Sequence, residues 1–194
     1  MMSNFTLQSA TTALILIDLQ HSNVGRALAP YSGPQVVGQS ARLAGAFRAN
    51  GGTVVYVRVS VGEILRLPAD TPMTRPVDAP PLPADACDLV PEAGVQGGDI
   101  VVTKKQWGAF YGTDLEQQLR RRGIRTLVMA GIATNFGVES TARQAFDQGF
   151  ELVFAEDAMT SMSAELHQFS IQNLFPKMGR VRSTQQLLQS LGKQ

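Results

Sequence analysis

TALILIDLQ, Thr12 to Gln20, is an unbroken apolar run that stops at an aspartate. A strand with one wet face alternates polar and apolar residues, whereas a run apolar at every position is covered on both faces, as in a parallel sheet. An amphipathic stretch from about Pro34 to Asn50 follows, closed by Gly51-Gly52 as a helix stop. TVVYVRV, Thr53 to Val59, then reads as a second strand of β-branched and aromatic residues. This is one βαβ unit. A Pro-rich stretch, Gly62 to Gly98, interrupts the alternation and exceeds the ~12–15 residues beyond which a loop is usually functional or disordered.

Beyond it the alternation resumes. DIVVTK is a strand, GTDLEQQLRRRG a helix and RTLVMAGI a strand, then a helix covers about Phe136 to Gln148 and FELVFAEDA is a strand. A helix over Ser163 to Leu174, a short strand near GRVRS and a terminal helix in STQQLLQSL complete the chain. The pattern predicts an α/β fold, a three-layer α/β/α sandwich around a mostly parallel, about six-stranded Rossmann-like sheet. At 194 residues the whole chain, 1–194, reads as a single domain.

Composition narrows the function classes. With 44% hydrophobic and 17% charged residues the chain is globular, not disordered. The formal net charge is +1, and the only basic cluster, Arg120 to Arg122, reads as a solvated helix end, so no nucleic-acid partner is expected. Cys87 is the only cysteine, which excludes an intramolecular disulfide and reads as a structural or incidental thiol. No leader segment and no run of ~18 apolar residues is visible, so a cytoplasmic protein without a membrane partner is expected.

In open parallel sheets ligands bind outside the carboxyl ends of the strands. That rule selects Asp18, Arg58, Lys104 and the turn Gly131 to Gly137. Asp18 admits two readings: a loop-closing or helix-capping aspartate, or a partly desolvated acid suited to proton transfer. Lys104 is either a solvated cation or the charge partner of that acid, while Lys105 points to the other side of the pleat. GIATNFGVEST aims successive amides from a strand into a helix start, a place for an anion or a developing oxyanion, or simply a turn. No GxGxxG follows the first strand, which argues against a dinucleotide cofactor. His167 reads as a helix-surface residue, and His21, three residues past Asp18, as a possible pocket wall.

Together, LILIDLQ, VTKKQWGAFYGTDLEQQLRRRG and GIATNFGVESTARQAFDQGF resemble the isochorismatase-like hydrolase superfamily, also called the cysteine hydrolase family, over about Thr12 to Leu191. The resemblance implies an Asp after the first strand, a Lys after the third and a nucleophilic Cys in the turn after the fourth. The first two map to Asp18 and Lys104. The third falls on Gly137, as in a bacterial subgroup of the family with glycine there, and a glycine supplies no thiolate for covalent attack. The histidine-containing metal motif of the nicotinamidase branch has no counterpart in VRVSVGEILRLP, so neither a metal nor another cofactor is expected.

Isochorismatases, which also look to carry glycine at this position, cleave a vinyl ether and need an acid but no nucleophilic side chain. The resemblance therefore implies a metal-free hydrolase acting on a small carboxylated molecule. Asp18 is the acid, Lys104 its partner, and Ala133, Phe136, Gly137 and Trp107 surround the substrate. Isochorismatases end their second strand on a YTAQ-like sequence with its Gln facing the substrate. Here YVRVS puts Val59 near that position and introduces Arg58 as an anion partner. The family also implies a cis peptide at Ile132–Ala133 and a homo-oligomer, dimer or tetramer. Two alternatives stand beside this reading: a catalytically decayed small-molecule-binding member of the fold, and a weak amidase working without covalent catalysis.

Overall fold

The computed structural model describes residues 6–73 and 78–191. In chain order it contains β1 (Thr12–Ile17), α1 (His21–Val24), α2 (Gly33–Ala49), β2 (Thr53–Val59), β3 (Ile100–Lys104), α3 (Leu115–Arg121) and β4 (Thr126–Ile132). After β4 come α4 (Glu139–Asp147), β5 (Glu151–Thr160), α5 (Ala164–Phe169), α6 (Phe175–Met178), β6 (Gly179–Arg182) and α7 (Thr184–Ser190). The six strands form one parallel sheet in the order β3-β2-β1-β4-β5-β6.

β1 is central, which is why all six of its residues are buried. Its alternate side chains feed two separate cores, the pleat sending successive residues to opposite faces. Leu14 and Leu16 pack with Val36, Leu43 and Phe47 of α2 and Leu187 of α7. Ala13, Ile15 and Ile17 pack with Leu115 and Leu119 of α3, Ala142 and Ala145 of α4, and Phe175. Three layers result. α2 starts cleanly because Ser32 and Gln35 cap each other's backbone amides and Pro34 lies in its first turn.

Two irregularities shape the sheet's C-terminal rim. Gly131 has φ 116°, and a Cβ there would lie 2.1 Å from the Ile17 carbonyl oxygen, so β4 approaches the end of β1 this closely only as glycine. The Ile132–Ala133 peptide is cis. In β5 the pairing with β4 passes from Met129–Phe154 to Gly131–Met159, so the intervening residues bulge out of the ladder. Asp157 in that bulge accepts hydrogen bonds from the amide and hydroxyl of Thr184 and so holds the start of α7.

The helix expected over Phe136 to Gln148 begins instead with a wide π-helical turn, Thr134–Val138, before α4. The helix expected over Ser163 to Leu174 is α5 followed by a second such turn, Ser170–Leu174. Most of the Pro-rich stretch is irregular, but its end is tied to the rim. Leu19 O accepts from Val90 N at 3.0 Å, and Ser22 N and His21 N donate to Ala86 O and Asp88 O at 3.0 and 3.1 Å. No helix among the described residues is long and apolar enough to cross a membrane.

Candidate active site

The strands β1, β2, β3 and β4 end together, and the residues just past them line one cavity of about 930 Å³. Asp18, Lys104, Ala133, Phe136, Gly137, Trp107 and His21 are all on its wall. Asp18 is the only non-glycine among the described residues with positive φ, 52°, a conformation uncommon outside glycine that recurs at functional sites. Its amide still donates to Val57 O at 2.8 Å, so the sheet ladder carries it to the rim.

Lys104, the last residue of β3, reaches past the end of β2 to place Nζ 2.8 Å from Asp18 Oδ2. Both side chains are buried, exposed by 2% and 7%. Nζ also donates to Gln106 O at 3.1 Å. The other carboxyl oxygen, Asp18 Oδ1, is buried without a hydrogen-bond partner among the described residues. Burial pushes the Asp18 carboxyl up from 3.8 to about 6, against the Lys104 ammonium, which pulls it down. Desolvation outweighs the ion pair.

Gly137 sits against this pair. A Cβ built on it would lie 3.0 Å from Ile17 Cγ2, 3.2 Å from Asp18 Oδ2 and 3.7 Å from Lys104 Nζ. The turn is braced from several sides. Thr141 Oγ1 donates to Gly137 O at 2.7 Å, and Ser161 Oγ donates to Asn135 Oδ1. Trp107 meets Phe136 edge to face with ring centroids 5.1 Å apart.

Two expectations are corrected. Arg58 is not on the cavity: it donates to Thr103 Oγ1 and pairs with Asp88 at 3.2 Å on the other face of the sheet, half-exposed. The reason is pleat parity, since Val55 and Val57 lie on the Ile15–Ile17 side and Val59, next on that side, lines the cavity while Arg58 does not. His167 is not a surface residue. It is fully buried under the turn, its Nδ1 2.8 Å from Thr134 Oγ1 and its Nε2 unpartnered, and burial lowers its pKa to about 4. Lys105 does point away, pairing with Glu63 at the surface. Cys87 is half-buried, its Sγ 3.5 Å from Val61 N.

Thr134→Val is expected to destabilise the fold by about 1–3 kcal/mol, because it strands the one ring nitrogen of His167 that has a partner. Urea denaturation checks this, and a change below about 0.5 kcal/mol, the scatter of neutral surface substitutions, would mean that the contact holds nothing.

Three further residues matter that sequence reading passed over. Gln20, fully buried, uses its side-chain amide to bond both Val59 N (2.8 Å) and Val59 O (3.1 Å), joining the rim of β1 to that of β2. Arg26 and Arg66 line the cavity and have no ion-pair partner among the described residues. Among the described residues no group of three or more His, Cys, Asp or Glu is placed to hold a metal ion.

A doubly wound parallel sheet with a buried acid and ammonium at its carboxyl rim defines an α/β architecture with a crevice for a small molecule at that rim. Residues 12–186 match the isochorismatase domain, and the chain belongs to the isochorismatase family of hydrolases. It is 47% identical over 189 residues to the isochorismatase family protein YecD of Escherichia coli O157:H7, covering 95% of this chain and 98% of that one. The structure is similar to that of an isochorismatase family protein from Burkholderia thailandensis, with TM-score 0.89 and 42% identity over 96% of this chain and 97% of the other. A shorter match, 39% identical over 104 residues, covers 53% of this chain and 41% of the ureidoacrylate amidohydrolase RutB of Variovorax paradoxus.

Proposed function

We propose that this hydrolase cleaves the vinyl ether of a small carboxylated molecule of the isochorismate type, with Asp18 as general acid, no cysteine nucleophile and no metal. One observation carries the reading: Asp18 has one carboxyl oxygen held by Lys104 and the other buried and unpartnered, beside Gly137, the position at which the family resemblance implies a nucleophile.

The chemistry follows from that geometry. Protonated Asp18 gives its proton to the terminal CH2 of the vinyl ether, and the adjacent carbon becomes an oxocarbenium ion. Water adds to that carbon and loses a proton, leaving a hemiketal. The hemiketal collapses to pyruvate as the departing alkoxide takes up a proton and leaves as the alcohol. Lys104 holds Asp18 in place and stabilises the carboxylate left after transfer. The absent Cβ at Gly137 leaves room beside the Asp18 carboxyl for the reacting group, and the amides of Ala133 and Gly137 receive a substrate oxygen. Arg26 and Arg66 replace Arg58 as partners for the substrate carboxylate.

The test is pyruvate release from isochorismate by the purified protein in the presence of EDTA, followed across pH. An acid must carry its proton, so the rate should be highest at low pH and fall about tenfold per unit above the Asp18 pKa of about 6. A rate that rises through pH 6 to 8 would point to a base and overturn the assignment.

A further inference from the structure

Isochorismate is compact and polar around its ring, and it fills only part of a cavity of about 930 Å³, which is near the top of the ~300–1,000 Å³ range that holds drug-sized ligands. The remaining wall has its own chemistry. Ile64, Leu65, Leu67, Met73 and Leu82 line it, with prolines among them. Leu65, Leu67 and Met73 are 61%, 70% and 46% exposed. Apolar side chains scattered singly on a surface are ordinary, but a contiguous group in a concave, polar-rimmed place marks a binding site.

The same cavity is cationic on balance. Arg26, Arg66 and Lys104 line it against the two acids Asp18 and Asp85, and the first two are without ion-pair partners among the described residues. Arg26 spends only Nε on the Ser22 carbonyl, at 3.1 Å. A guanidinium with its remaining donors free is matched to a carboxylate, which accepts two parallel hydrogen bonds.

We propose that the ligand of this cavity is an amphipathic carboxylate, with an anionic head met by Arg26 and Arg66 and an alkyl or aryl arm of several carbons laid on the wall of Ile64, Leu65, Leu67, Met73 and Leu82. The proposal rests on the Asp18 site being where the ligand reacts, and it narrows the substrate to vinyl ethers bearing an apolar arm. The two guanidinium groups select the head and the apolar wall grades the arm.

The experiment titrates the protein with n-alkanoates from butyrate to octanoate, reading the fluorescence of Trp107, the only tryptophan, which lines the cavity. Calorimetry supplies Kd where fluorescence is silent. Each methylene buried on the wall is expected to lower Kd about three- to fourfold. Octanamide is expected to bind at least ~10-fold more weakly than octanoate, and Arg66→Gln to shrink that gap, as loss of a charge-assisted hydrogen bond requires. The double variant Leu65→Ser with Leu67→Ser alters exposed positions and should retain the wild-type melting curve while the chain-length dependence drops below about twofold per methylene. A wild-type Kd independent of chain length overturns the proposal, as does a dependence undiminished in the double variant, which would place the alkyl chain elsewhere. Alkanoates contain no vinyl ether, so these outcomes stand apart from success or failure of isochorismate hydrolysis.

Discussion

Asp18→Asn is expected to lower pyruvate release from isochorismate by roughly 10²–10⁴-fold, the range that a positioned general acid contributes, with a much smaller change in KM. Asparagine keeps the shape of the side chain and the contact to Lys104 but has no acidic proton. The same variant carries a pH signature in stability. The folded-state pKa of Asp18, about 6, is raised above the ordinary 3.8, so folding favours the protonated form. That contribution is fully present below pH 3.8 and is lost as pH rises through about 6. Wild-type stability relative to Asp18→Asn should therefore decline between pH 4 and 7, by on the order of 3 kcal/mol at about 1.4 kcal/mol per pKa unit. Urea denaturation of both proteins at several pH values measures it. A difference that stays flat would mean that the acid is not held protonated by burial.

Gly137→Ala is the second large effect. The new methyl would sit 3.0 Å from Ile17 Cγ2 and 3.2 Å from Asp18 Oδ2, closer than side chains ordinarily approach. Both neighbours are buried in packed surroundings, so relief requires the Asp18–Lys104 pair to shift. The contact is relieved by a shift of a few tenths of an ångström, less than the ~1 Å that costs about 10²-fold in rate, so the rate should fall by up to about 10²-fold as the methyl also fills the space beside the acid. The loss in stability should be modest, about 1–3 kcal/mol for overpacking by one methyl. Gly45→Ala is the control, because a Cβ on that exposed face of α2 meets nothing within 4 Å. It should leave the rate unchanged and add up to about 1 kcal/mol of helix stability. Equal activity in Gly137→Ala and Gly45→Ala would mean that the space at Gly137 is not used.

The sheet was legible because burial leaves a one-dimensional signature. TALILIDLQ is apolar from Ala13 to Ile17, the mark of a strand covered on both faces, and the strand-end rule then brought Asp18, Lys104 and the turn after β4 to one rim without any contact being known. What failed was information carried by register and by distant partners. Arg58 and Val59 are the last two residues of β2, and the choice between them turns on which pleat face the cavity opens. The pairing of Val59 with Lys104 settles that face, and pairing is invisible in a single sequence.

His167 lies between exposed Leu166 and solvent-facing Gln168, so the local pattern reads as a helix surface. Its partners are distant in sequence: the hydroxyl of Thr134, 33 positions earlier, and the ring of Tyr31, which it meets edge to face. Gln20 is the same case, a polar residue whose role depends on the backbone of Val59. The bulge of β5 and the wide turns at 134–138 and 170–174 were missed because local propensity does not distinguish them from regular strand and helix.

The most direct test of the account is the fate of the vinyl carbon. Isochorismate is incubated with the wild type and with Asp18→Asn in D2O containing EDTA, and the pyruvate methyl group is read by NMR. The account predicts pyruvate whose methyl carries a single deuterium, formed by the wild type and lost in the variant, because the proton on that carbon comes from an exchangeable acid. Formation of pyruvate by both proteins at the same rate, or a pyruvate methyl without deuterium, would contradict the assignment of Asp18 as the acid of a vinyl-ether hydrolase.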